Sequence, residues 1–220
     1  MSTLPKTRYI LWLIILLIIP ILGFVFVHGF HHRNRQQSSA SSTSLTTTTT
    51  MCVKPCIIGD ESILMQPKEY GTSDVPIQTN LRWSCDNNIA NRICNYNRHY
   101  AEYFGYWERD STFVRDEILN NNTSDTLSPT TMNFYDSNTG APLFTIPGTL
   151  KLRTIDDFLQ ESHRHGWPSF RSDEVHWDYV RVLPNGETIS VSGTHLGHNL
   201  PDEKGDRFCI NLVCIAGNPL

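Results

Sequence analysis

The sequence predicts an antiparallel α+β fold, mostly β, with a few short helices, behind a long N-terminal extension. Three observations point to it. Asn185-Gly186, set between HWDYVRVLP and ETISVSG, is the strongest short-range hairpin signal a sequence offers. A single short helix is bracketed over residues 155–164 by Thr154 with Asp157, a capping-box pair, and by Gly166 as a stop. RFCINLVCIA, residues 207–216, has strand composition. In chain order the compact part begins near Met132. FYDSNTGAPLFTIPG reads as two short strands around a turn at Asn138-Thr139-Gly140, followed by the helix, the hairpin and the last strand. Strands outnumber helices and no internal repeat is visible, which sets the fold class.

The extension has its own pattern. Residues 1–8 form a tail. Residues 9–27, YILWLIILLIIPILGFVFV, carry no charge over the length that a bilayer-spanning helix needs, and Pro20 is tolerated in such a helix. No small-x-small cleavage site follows, so the segment reads as a transmembrane signal anchor; a cleaved signal peptide is the alternative. Lys6 and Arg8 before it and Arg33 and Arg35 after it leave the positive-inside count balanced. Overlapping glycosylation acceptors at Asn121 and Asn122, a Ser/Thr-rich run over 38–50, and six cysteines all beyond the apolar segment favour a single-pass protein of the secretory pathway, its domain lumenal or extracellular. Residues 28–75 read as stalk and linker, 76–131 as an accessory helical and loop region, and 132–220 as the compact domain. With 18 basic and 22 acidic residues and no basic stripe, nothing points to nucleic acid.

In the accessory region Tyr100, Tyr103, Phe104 and Trp107 recur at helical spacing, predicting a helix that packs an aromatic face on the core. Cys52, Cys56, Cys85 and Cys94 read as structural, with connectivity open.

Alternation along the last strand makes the chemistry legible. Phe208, Ile210, Leu212, Cys214 and Ala216 form one apolar face, which belongs in the core. Cys209 then points the other way, between Arg207 and Asn211, in an environment expected to lower a thiol pKa. Cys214 faces the opposite side roughly 16–17 Å along an intact strand, beyond disulfide reach, and reads as a small core hydrophobe. Upstream, His195 and His198 can approach one point from an irregular loop, and Asp202 can orient a ring or accept a proton. Two histidines and a thiolate can also hold a metal.

GWPSF (Gly166 to Phe170), HLGHNLPD (His195 to Asp202) and GDRFCIN (Gly205 to Asn211) resemble, in order, the signature blocks of the B-type methionine-R-sulfoxide reductases, and TGAPLF (Thr139 to Phe144) resembles an earlier block. The resemblance covers residues 132–217. It implies two small antiparallel sheets and thiol-dependent reduction of methionine-R-sulfoxide, free or in a peptide, through a sulfenic acid at Cys209. A thioredoxin-like protein is the implied reductant. Cys209 falls at the family's nucleophile. Trp167 falls where an indole packs on the substrate methyl, with Phe208 a second candidate substrate contact. His195, His198, Asp202, Arg207 and Asn211 match the polar surround of the sulfoxide. Many members carry two Cys-x-x-Cys pairs around a structural zinc; here Asp136, Thr139, Ile189 and Ser192 stand at those positions, so no zinc and no other cofactor is expected. Cys85 and Cys94 are the candidate recycling thiols. The alternatives on the same residues are a non-catalytic binding module on this fold and a His/Cys metal site.

Overall fold

Residues 52–119 and 131–220 are described by the computed structural model, and the local turn signals organise them. Asn185-Gly186 closes the hairpin between β4 (Val180–Val182) and β5 (Glu187–Ser190), with Gly186 at φ 90°, a left-handed conformation that glycine adopts without strain. β5 continues through a turn at Ser192-Gly193 into β6 (His195–Asn199), and β6 through a tight turn at 202–205 into β7 (Phe208–Ile210). The short strand β3 (Ser169–Phe170) lies on the far side of β7. The result is a five-stranded antiparallel sheet in the order β3-β7-β6-β5-β4. A second, two-stranded sheet pairs β1 (Met132–Tyr135) with β2 (Pro142–Ile146) around the expected turn, where the Gly140 amide donates to Asp136 O at 2.7 Å.

Among the described residues three α-helices of four or five residues precede the sheets: α1 (Glu61–Leu64), α2 (Asn87–Asn91) and α3 (Tyr106–Arg109). The eleven-residue α4 runs Ile155–His165. Its start is fixed as the sequence suggests: Thr154 Oγ1 accepts the Asp157 amide at 3.2 Å, and the Asp157 carboxylate accepts the Thr154 amide at 2.8 Å. Gly166, at φ 84°, ends it. The two sheets and α4 meet over an aromatic core of Phe113, Phe134, Phe144, Phe158, Phe170 and Phe208, all fully buried. Phe170 stacks on Phe144 at 4.1 Å and meets Phe134 edge-on at 5.0 Å. Each such ring contributes roughly 1.5–3 kcal/mol by leaving water.

Several expectations are corrected. Among the described residues the fold is α+β, with two antiparallel sheets and short helices, rather than mostly β behind a membrane helix. Among the described residues no helix is long and apolar enough to cross a membrane, and the apolar segment 9–27 lies outside the described residues. So do residues 28–51, which hold the whole Ser/Thr-rich run, and both glycosylation acceptors.

The long aromatic helix does not form. Gly105 takes φ 78°, and the main chain of Glu102 is bonded to other parts of the chain, so residues 97–105 run as an irregular strap. Tyr100, Tyr103 and Phe104 are exposed, while Tyr106 and Trp107 are buried. The last strand also stops early, at Ile210. The Leu212 and Val213 amides donate to the Glu102 carboxylate, at 2.8 and 3.1 Å, instead of to a neighbouring strand, and Leu212–Cys214 turns into a 3-10 helix. That turn brings Cys214 to Cys94, with which it forms a disulfide; Cys214 is thus a bridging residue rather than a lone hydrophobe. Cys52 pairs with Cys56, and Cys85 is a free, buried thiol.

Candidate active site

Strand register assembles the site. Glu187 on β5 lies directly opposite His198 on β6, His198 lies opposite Cys209 on β7, and Cys209 lies opposite Ser169 on β3. Directly opposed residues present their side chains on the same face, with Cβ atoms about 5 Å apart. The row Glu187–His198–Cys209–Ser169 therefore runs across four strands on one face of the sheet. The tight turn at 202–205 sets the β6/β7 rung. Its backbone pairs Asp202 with Gly205, and counting outward brings 198 to 209.

His195 joins this row by an irregularity. Three residues before His198, it would face the other side of a regular strand. The pairing of β5 with β6 shifts by one residue between Thr188 and Ile189, and the two imidazoles end with ring centroids 5.6 Å apart. The histidines thus converge as expected, but from a bulged strand rather than a loop. Gly197 between them allows close approach: a Cβ there would fall 2.1 Å from the Cys209 carbonyl oxygen.

Glu187 was not anticipated from sequence. It accepts from His195 Nδ1 at 2.7 Å, and Arg98 Nε lies 2.9 and 3.0 Å from its two oxygens. Burial alone would raise the Glu187 carboxyl, but the bonds from His195 and Arg98 outweigh it and hold the group at about 2. An ionised carboxylate only accepts, so His195 carries its proton on Nδ1 and turns Nε2 free. Burial lowers the pKa of His198, as does the neighbouring His195, which keeps this imidazole neutral at ordinary pH. A signal for Glu187 was available: counting outward from the Ser192-Gly193 turn sets 187 against 198.

Cys209 is a free, half-buried thiol. The expectation of a lowered thiol pKa is corrected. Burial pushes the thiol up, and the Arg207 guanidinium, which hydrogen-bonds it, opposes this only in part. Arg207 is itself buried; its Nε lies 3.6 Å from the Asp202 carboxylate, and neither Nε nor Nη1 makes a hydrogen bond, so the guanidinium beside Cys209 keeps donor capacity.

The remaining predicted residues are placed differently. Asp202 is exposed and held by Arg171, at 2.9 and 2.8 Å, and it orients neither imidazole. That salt link keeps its carboxyl at about 2. Asn211 is buried, with Oδ1 accepting the Glu102 amide at 3.0 Å and Nδ2 donating to Leu196 O at 3.1 Å, so it braces the site from behind. Phe208 is fully buried against Trp177 on the core face and lines no surface. Trp167 is half-buried two residues before Ser169; its Nε1 donates to Glu102 O at 2.9 Å and its ring meets the edge of Phe104.

Asp136, one of the four positions that the sequence resemblance singles out, belongs to a polar network. The buried Asp136 carboxylate accepts Thr194 Oγ1 at 2.9 and 3.0 Å and the Asn138 amide at 2.8 Å, joining the turns at 136–140 and 190–194, while Ile189 is a core side chain with no donor atom. Among the described residues one group of three has metal-ligand spacing, Cys52, Cys56 and Asp206; its two sulfurs are joined to each other.

Compared with protein-family models, curated proteins and solved structures, the chain matches none.

Proposed function

We propose that the chain is a thiol-dependent methionine-R-sulfoxide reductase of the B type, with Cys209 as nucleophile. The observation that carries this reading is the cross-strand row that sets His198 beside Cys209 and, through the bulge, His195 beside His198. The sequence blocks over 132–217 support it independently.

In this reading the substrate's methyl rests on the Trp167 indole, an apolar wall suited to it. The Cys209 sulfur attacks the sulfoxide sulfur as its proton passes to an imidazole and on to the sulfoxide oxygen. Arg207 donors stabilise the charge growing on that oxygen. Collapse of the adduct moves the oxygen to Cys209, so that thiol plus sulfoxide becomes sulfenic acid plus methionine with no net proton uptake. An external thiol then attacks the sulfenic acid, releasing water and forming a mixed disulfide, and a second thiol restores Cys209. Cys94 is engaged with Cys214 and Cys85 is buried, which favours an external, thioredoxin-like reductant. Two disulfides suit an oxidising, secretory compartment.

The test is reduction of R- and S-methionine sulfoxide by the full chain with dithiothreitol. Turnover is expected for the R epimer alone. Cys209→Ser is expected to abolish it and Cys85→Ser to leave it intact. Equal activity in wild type and Cys209→Ser would rule the mechanism out.

A further inference from the structure

The proton-handling face is completed by the strap at 97–105, a part of the chain that the reductase-like blocks do not cover. Arg98 leads this strap. Its Nε and Nη2 both reach the Glu187 carboxylate, in a bidentate pair of 2.9, 3.0 and 2.5 Å, and Nη2 also contacts Glu61 Oε1 at 2.8 Å. Glu187 is only 3 % exposed and His195 only 1 %, so this contact is made under cover. Arg98 itself is half-buried, and a forked contact of fixed geometry to a buried carboxylate is where a planar guanidinium differs from a flexible ammonium. The strap is anchored on both sides. Cys94, four residues before Arg98, is bridged to Cys214, and Glu102, four residues after it, bonds Asn211, Leu212, Val213 and Trp167.

We infer that Arg98 is a positioning residue for the proposed reaction: by clamping Glu187 it fixes the carboxylate that orients His195, which packs against His198 beside Cys209. The inference rests on the proposed reductase chemistry only for its kinetic consequence; the clamp itself is a matter of geometry.

The direction of the effect follows from the charges around His198. Facing it are Glu187 from β5, His195 on its own strand, Cys209 from β7, and His99 and Arg98 from the strap. Arg98 opposes protonation of His198, and Glu187 favours it. Removing the guanidinium leaves the carboxylate charge uncompensated, so His198 gains proton affinity and the carboxylate loses its fixed orientation.

The experiment compares wild type, Arg98→Ala, Arg98→Gln and Arg98→Lys as full chains. The first readout is histidine NMR titration, which does not depend on turnover. In Arg98→Ala and Arg98→Gln the His198 midpoint is expected to rise measurably above that of wild type. Arg98→Lys, which keeps the charge without the fork, restores the midpoint. The second readout is turnover of R-methionine sulfoxide. For Arg98→Ala a fall in kcat of about tenfold or more is expected with KM little changed, as suits loss of part of a proton-transfer contribution; Arg98→Lys recovers only part of it. Wild-type His198 titration in a folded Arg98→Gln protein overturns the inference. If wild type proves inactive, the reductase reading fails while the titration still decides the role of Arg98. Loss of folding in Arg98→Ala leaves the decision to Arg98→Gln and Arg98→Lys, which preserve the side chain's bulk.

Discussion

Removing the Cys94–Cys214 bridge tests the way the accessory region is joined to the sheet. The two cysteines are 120 positions apart and fully buried. Treating the bridge as a constraint on the unfolded chain, closure of a loop of that length is worth about 5 kcal/mol at 25 °C. The Cys52–Cys56 bridge, with a separation of 4, is worth about 2 kcal/mol by the same relation. For a domain of this size each kcal/mol moves Tm by about 2–4 °C. The Cys94→Ala/Cys214→Ala protein should therefore melt about 10–20 °C below wild type, and the Cys52→Ala/Cys56→Ala protein only about 4–8 °C below it. The assay is thermal unfolding by near-ultraviolet circular dichroism without reductant, with alkylation and peptide mapping of the unreduced wild type. An unchanged Tm in the Cys94/Cys214 variant would refute the reasoning, as would free thiols at both positions in the map.

Two further outcomes follow from the polar networks. The Glu187 carboxyl is depressed from 4.5 to about 2, so its contribution to stability is present above about pH 4.5 and lost as pH falls toward 2. Glu187→Gln should flatten the acid limb of a stability–pH curve, and parallel acid-unfolding curves for the two proteins would contradict the ionic link. Asp136→Ala removes the shared acceptor of Thr194 Oγ1 and the Asn138 amide; Asn138 Oδ1, 3.2 Å from Thr194 Oγ1, still takes the hydroxyl, so the cost is mainly that of the unpaired Asn138 amide, about 2 kcal/mol. Urea unfolding measures this, and a loss below about 1 kcal/mol would show that the two turns do not depend on the network.

Much of the fold was legible because its signals are local. The Asn-Gly turn, the Thr154/Asp157 cap and the Gly166 stop act within four residues of their targets, and each element they mark is present. Alternation likewise put Cys209 and Phe208 on opposite faces of β7. What was missed depends on partners far along the chain. Glu102 ends β7 across a separation of 110 residues, and without that carboxylate the apolar run to Ala216 reads as continuous strand. The aromatic spacing at 100–107 mimics a helix because periodicity ignores the main-chain groups of Glu102, which are spent on Asn211 and Trp167. Cys209 was placed among polar neighbours correctly, but its burial, which raises the thiol, could not be read from those neighbours. Asp202 sat in a promising position by spacing, yet Arg171, from another strand-end, takes it.

Because the sulfur, the imidazole and the carboxylate are consecutive rungs of one ladder, the site has no existence apart from strand alignment. Slippage of β7 by a single residue would turn Cys209 into the interior and push Phe208 toward solvent. Gly197 is part of the same dependence. A side chain there would fall 2.1 Å from the Cys209 carbonyl oxygen, so any larger residue at 197 would force β6 and β7 apart at the very rung that sets His198 against Cys209.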